Sequence, residues 1–357
     1  MRKLLLALIF LLGIVFIVAR KGEIQSTAET LQRGNLWFIF LAIIVEGLWS
    51  LNCGASFKAI YHGMGIEEQL GTLSLIVSAA NFVNVIAPSG GVSGMTIFVS
   101  EARRRNYSAA RVTAAGVLYL LFDYLGLIAI LVVGLVVMIR RNDLSLVVIL
   151  ASAALIGLAM LFTYLINLGM QSALSFGNAL AKLTRIINRV MRPFIHRDYL
   201  SEAKAHEFAH DAAEGLILLR SQPRSILIPL GYAITNKISQ VLILTLVFMA
   251  FKIPVSIGTV IACFSIATLF VIVSPTPAGL GFVEGALTWA LTRMYISGGD
   301  ALVIVLSYRG ITFWIPMLVG MISIRGLEKV GIKANGNNKE QVLVEAQSDP
   351  VNTKTDV

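Results

Sequence analysis

Charge is scarce in this chain. Only 14% of its 357 residues are Asp, Glu, Lys or Arg, where soluble domains carry about a quarter. With 57% hydrophobic residues and a mean hydropathy of +0.80, that scarcity excludes an ordinary soluble domain and points to an all-α polytopic membrane protein. Cysteine is scarcer still: Cys53 and Cys263 both fall in apolar segments, where a thiol is usually a small hydrophobe, so they say almost nothing about redox compartment. No G-x-x-x-x-G-K-[ST] loop occurs, and no G-x-G-x-x-G follows a strand, which leaves the chain without a nucleotide-driven engine of its own. Energy coupling then needs an ion gradient, the membrane potential or a partner, and no cofactor is expected. The net charge of +9 reflects the positive-inside bias and anionic headgroups rather than nucleic acid.

What is present is a series of long apolar runs. Six are long enough to span, at 4–19, 36–60, 112–139, 144–168, 225–251 and 301–324, given that about 20 residues cross a bilayer. The first has the basic start of a signal peptide. Arg20-Lys21 follows it directly with no small-x-small cleavage site, so it is read as the first membrane helix.

Two further pairs of runs, 68–87 with 92–105 and 255–274 with 281–296, flank Pro88-Ser-Gly-Gly-Val-Ser-Gly94 and Pro275-Thr-Pro-Ala-Gly-Leu-Gly281. Each break is a Pro-x5-Gly interruption in sequence apolar enough to lie in lipid, and each precedes a charged helical run, with Glu101 in the first half and Glu284 in the second. Broken backbone survives at membrane depth only inside protein or along a wet cavity. Such interruptions in corresponding halves are the best sequence pointer to a transporter's substrate site.

Charge sets the threading. If each pair is a re-entrant hairpin, 20 of the 29 Lys and Arg fall on the cytoplasmic side. Seven lie outside (Arg20, Lys21, Arg33, Arg140, Arg141, Lys252, Arg293) and two within the membrane (Lys237, Arg309). The positive-inside rule favours this arrangement, with both termini cytoplasmic in the cell membrane. The first hairpin then enters from the cytoplasm and the second from outside, as in an inverted repeat.

The expected organisation is one membrane domain over 1–330, with halves 1–168 and 225–330 joined by a cytoplasmic segment 169–224, and a disordered tail over 331–357. Within the joining segment, Leu180, Leu183, Ile187, Val190 and Phe194 share one helix face, and Lys182, Arg185, Arg189 and Arg192 the other. That pattern suits a basic amphipathic helix on anionic inner-leaflet lipids at 180–194, and equally a connector packed on the protein.

Two motifs suggest enzymes and neither persuades. His206-Glu-Phe-Ala-His210 matches H-E-x-x-H, with Glu214 a further turn on, the geometry of a zinc site. It stands in a charged segment beside Lys204 and Asp211, with no sign of a dry pocket, so no metal is expected. Gly91-Val-Ser-Gly94 resembles the nucleophile loop of rhomboid intramembrane proteases. However, His62, His196, His206 and His210 all lie outside the apolar runs, which leaves that serine without a base.

The remaining chemistry lies in polar residues inside apolar helices: Glu46, Asn52, Asn81, Asn84, Asp123, Asn236, Lys237, Gln240, Glu284 and Arg309. A charge at the bilayer centre costs about 3 kcal/mol, so these should face a cavity or one another. Asn52 and Gln240 fit simple interhelical hydrogen bonding. Asp123, Lys237, Glu284 and Arg309 fit a polar cleft, in pairings that sequence leaves open.

At Pro275-Thr-Pro-Ala-Gly-Leu-Gly-Phe-Val-Glu284, and at Tyr308-Arg309 with Pro316 and Gly320, the chain resembles the lysylphosphatidylglycerol synthase transmembrane-region family, the flippase-like integral membrane proteins. Pro88-Ser-Gly-Gly91 with Glu101 and Arg103 is similar to the family's first glycine motif. The resemblance covers about 1–330. Members with a cytoplasmic aminoacyl transferase domain make lysyl-phosphatidylglycerol and move it to the outer leaflet. No such domain is recognised after residue 330, so the resemblance implies the flippase part alone.

The expected function is translocation of a phospholipid or lipid-linked glycan headgroup through a midplane cleft. The candidate substrate-binding set is Pro88, Gly90, Gly91, Gly94, Glu101, Asp123, Lys237, Pro275, Pro277, Gly279, Gly281, Glu284 and Arg309. Helix N-termini after each break suit a phosphate. A homo-oligomer or a biosynthetic enzyme partner fits this role. The alternatives are a small-solute or ion-coupled transporter and an intramembrane enzyme on a lipid-linked substrate, with Asp123 or Glu284 as its acid or base.

Overall fold

A backbone out of reach of water must bond internally. Among the described residues every long apolar run does so as helix, without a strand. The computed structural model describes residues 34–86, 92–141, 145–195, 202–220, 224–274, 276 and 279–327. The expected span at 4–19, the tail at 331–357, and Pro88, Gly90, Gly91, Pro275 and Pro277 lie outside them.

The helices are α1 Leu36–Gly63, α2 Leu70–Ile86, α3 Val92–Arg104, α4 Ala109–Arg140, α5 Leu146–Gln171, α6 Ala173–Ile195, α7 Glu202–Arg220, α8 Arg224–Ala250, α9 Ile257–Val273, α10 Phe282–Arg293 and α11 Gly298–Arg309. A π-helical turn, Gly310–Trp314, carries α11 on to Leu327. Five of these are long and apolar enough to cross a membrane: α1, α4, α5, α8 and α11 with its extension. Their starts are capped by short polar side chains. Asn35, Ser108, Ser145, Ser256 and Ser297 each accept a hydrogen bond from a first-turn N–H of α1, α4, α5, α9 and α11, the usual remedy for orphan donors at a helix start.

The helix lengths repeat. α1 to α4 have 28, 17, 13 and 32 residues; α8, α9, α10 and α11 with its extension have 27, 17, 12 and 30. The turns repeat as well. Gly65 and Asn106 are left-handed in the first series, Lys252 and Tyr295 in the second. Each stands beside a helix-closing bond from the N–H five residues on: Ile66 to Tyr61, Tyr107 to Ala102, Ile253 to Phe248 and Ile296 to Leu291. These are Schellman-type closures. At a rise of about 1.5 Å per residue, α3 and α10 are each about 20 Å long or less, too short to cross a hydrocarbon core of about 30 Å.

The two series pack across each other. α1 lies along α8, and α4 lies against α8 and α9. Gly134 of α4 meets Ser265 of α9, while Gly320 meets the Ser78 carbonyl of α2, close helix approaches of the small-residue kind. α2 folds back on α3, and α9 on α10. The buried core divides between a cluster around Leu131, Phe248 and Phe264 and one around Phe57, Leu73 and Phe122.

The joining segment holds two helices. α6 packs on α7 and on α5, with Phe176, Ala181 and Thr184 buried, Lys182 and Arg185 exposed, and Leu180 and Leu183 half-buried.

Candidate functional site

The start of α10 is built from residues that only a special backbone accommodates. Gly279 and Gly281 have φ of +73° and +79°, a region where glycine escapes the Cβ clash. Hydroxyls brace the turn: Thr276 Oγ1 donates to the Leu280 carbonyl at 2.9 Å, and Gly279 N–H donates to the Thr276 carbonyl at 3.1 Å.

The chain enters α10 at Gly281, whose N–H donates to Glu284 Oε2 at 2.7 Å. The other oxygen of that carboxylate accepts from Arg309 Nε, also at 2.7 Å. Arg309 is 8% exposed, and its guanidinium lies over the Phe313 ring at 4.5 Å. Glu284 thus sits at the positive end of the α10 dipole and neutralises a buried cation. Its side chain stays 24% exposed, so the pair borders open space. Beside it lies an open, largely apolar cavity of about 470 Å³, lined by Phe270, Gly281, Phe282, Gly285, Ala286 and Trp289.

The second charged pair joins the two series. Lys237 of α8 reaches Asp123 of α4 at 2.7 Å, with the lysine side chain 7% and the aspartate 27% exposed. Next to it Asn52 donates to Asn236 Oδ1 at 2.6 Å and to the Tyr232 carbonyl at 2.9 Å, the interhelical bonding expected of Asn52. The structure therefore settles which charges pair: Asp123 with Lys237, and Glu284 with Arg309.

At the first break, Gly94 N–H donates to Asn84 Oδ1 at 2.6 Å. A Cβ at Gly94 would meet the Ala80 carbonyl at 2.7 Å, so glycine allows α3 to start tight against α2. Glu101 stands apart from this. It lies at the far end of α3, 4% exposed, accepting from Arg104 at 3.0 Å and lying 3.6 Å from Arg105, which also binds Glu68 at 2.8 Å. Tyr107 donates its hydroxyl to the Glu67 carbonyl there at 2.6 Å. Burial and then the Glu68 carboxylate push that hydroxyl above the ordinary tyrosine range, with Arg105 opposing. This network is positioned to fix the end of the hairpin.

His206 and His210 are exposed on α7, and Glu214 is held by Arg111 at 2.6 Å. Among the described residues no three metal-ligating side chains converge. Sequence reasoning passed over the cavity aromatics Phe270, Phe282 and Trp289. Their only signal was position: Phe282 directly follows the glycine break, and Phe270 and Trp289 lie in the apolar runs on either side of it.

A helical bundle with pairs of short helices, buried charges and an apolar cavity beside them defines a multi-pass membrane protein with a polar interior. The chain belongs to the family described as the lysylphosphatidylglycerol synthase TM region, whose model matches residues 4–320. It is similar to a UPF0104 membrane protein of Methanothermobacter thermautotrophicus, 20% identical over 89% of this chain and 94% of the relative. A UPF0104 membrane protein of Pyrococcus horikoshii is 22% identical over 91% of this chain and 97% of its own length.

Proposed function

We propose that the protein moves a phosphate-bearing lipid headgroup between leaflets, with the start of α10 as its binding site and the two short helix pairs as re-entrant gates of an inverted repeat. The observation that carries this reading is the adjacency of opposite chemistries. The α10 N-terminus with Arg309 suits an anionic headgroup, and the cavity along Phe270, Phe282 and Trp289 suits an acyl chain, within the usual range of about 300–1,000 Å³ for ligand pockets. A small ionic solute would need the first feature and not the second. The family membership is lipid-related and supports the same reading.

Supporting the inverted threading are the matched helix lengths and turn closures of the two series, together with the excess of Lys and Arg that it places on the cytoplasmic side. Both termini and the Glu101–Arg105 end of α3 then face the cytoplasm. The exposed cations Lys182 and Arg185 of α6 suit the anionic inner leaflet.

The test is a dithionite-quench assay of fluorescent phosphatidylglycerol in proteoliposomes, wild type beside Glu284→Gln and Arg309→Ala. The expected result is translocation by the wild type and at least a tenfold loss in both variants at normal expression. Unchanged rates in both variants remove the α10 site from the reading.

A further inference from the structure

The charges in the middle of the bundle do not balance. Asp123 matches Lys237 and Glu284 matches Arg309, and a third carboxylate, Glu46 of α1, remains. It is 2% exposed, and neither of its oxygens has a hydrogen-bond partner among the described residues. It stands in the buried stripe of α1 with Ala42, Cys53, Phe57 and Ile60, a position that helical spacing would give to an apolar side chain. An ionised carboxylate without partners is the most expensive thing to hold there. A neutral carboxylic acid is far cheaper.

The groups facing it come from each packed helix. From α11, Tyr308 lies within electrostatic reach of both Glu46 and Arg309. On α1 itself, Cys53 lies within reach of Glu46, of Asp123 and Tyr119 from α4 and of Lys237 from α8, and donates to Asn236 Oδ1 of α8 at 3.7 Å. α2 and the π-helical turn carry no ionisable side chain, and α7 meets α1 near Gly63. Glu46 thus shares a neighbour with each ion pair: Tyr308 with Arg309, and Cys53 with Asp123 and Lys237. Among the described residues, the cations that share those neighbours are Lys237 and Arg309, each already bound to a carboxylate.

We propose that Glu46 is a proton-binding site that holds its proton while both ion pairs are closed and releases it when one opens, so that translocation is coupled to proton movement. The step is simple: the carboxylic O–H breaks, the proton passes to water in the opened cleft, and the freed Lys237 or Arg309 faces the new carboxylate. The coupling rests on the translocation reading, whereas the protonation does not.

Infrared difference spectroscopy of the purified full-length protein, titrated in H2O and D2O, tests this directly. The expected result is a carboxylic C=O band at neutral pH that shifts in D2O, disappears in Glu46→Gln and moves in Glu46→Asp. The same band in Glu46→Gln, or none in the wild type, overturns the site. Glu284→Gln and Asp123→Asn release one cation each, and the band should fall in at least one of them; full retention in both overturns the link to the ion pairs. Fluorescent phosphatidylglycerol transport should depend on pH in the wild type and lose that dependence in Glu46→Gln. Absence of transport at every pH, with the band behaving as expected, overturns the coupling and the translocase reading together while the proton site stands.

Discussion

Asp123 lies eleven residues before Gly134 on α4, and Arg309 eleven residues before Gly320 on the extended α11. Both glycines mark where the last helix of one series crosses the short helix of the other. The two series thus carry opposite charges at corresponding places, and each charge is answered differently. Asp123 is paired across the series by Lys237, and Arg309 within its own series by Glu284. Glu284 has a second bond, to Gly281 N–H. The difference separates a link between the two series from one seated at a helix start within a single series.

The largest effect follows from that second bond, which Asp123 lacks among the described residues. Lys237→Ala leaves Asp123 without its counter-charge and should cost about 3 kcal/mol. Arg309→Ala, with Glu284 still bonded to the backbone, should cost about 1 kcal/mol. Thermal unfolding in detergent reads both, and equal losses would break the contrast. Exchanging charges sharpens it. Asp123→Lys with Lys237→Asp should return to within about 1 kcal/mol of wild type. Glu284→Arg with Arg309→Glu should remain about 2 kcal/mol down, because a cation then faces the positive end of α10.

The two crossings differ in a smaller way. A Cβ at Gly320 would strike the Ser78 carbonyl, which is backbone, while one at Gly134 would meet the Ser265 hydroxyl at 2.7 Å. Gly320→Ala should therefore cost about 1.5 kcal/mol and Gly134→Ala less than about 1 kcal/mol, measured by urea or thermal titration of the detergent-solubilised protein.

The smallest effect belongs to the outer turns. Tyr107 is bonded to the Glu67 carbonyl, and Tyr295 is 96% exposed. Tyr107→Phe should cost about 0.5 kcal/mol and Tyr295→Phe nothing measurable. The Tyr107 hydroxyl ionises above its ordinary range. Its contribution is therefore complete below the unfolded value and is lost as pH rises through the folded one. Proteolysis of the α3–α4 turn should increase at alkaline pH while the α10–α11 turn is unaffected.

Sequence carried the helical runs and their breaks, because hydropathy and proline or glycine act locally. The expected 112–139 appears as Ala109–Arg140; the added turn is alanine-rich sequence capped by Ser108, which an apolar window does not reach. The sequence also named Asp123, Lys237, Glu284 and Arg309 as residues that lipid would not tolerate. It left their pairing open, since that depends on which helices touch and in what rotation. Glu101 looked equivalent to Glu284 because each follows a break. Glu101 lies two turns further along its helix and ends beside Glu68 and Arg105 instead. The joining segment showed its amphipathic face plainly, but apolar periodicity is the same whether the face meets lipid or a neighbouring helix. Here α6 lies on α7.

Glu284 also determines how the α10 site would respond to concentration. A carboxylate tethered three residues from Gly281 is present there at an effective molarity on the order of millimolar or above, whatever the surrounding solution contains. On the proposed translocation, an incoming phosphate would have to win an exchange rather than fill a vacancy, and its apparent affinity would be the ratio of two anions' preferences for the same N–H groups and guanidinium. Such a site would stay shut to dilute chloride or carboxylate and open to a ligand that arrives with its own high local concentration, as a lipid confined to a leaflet does.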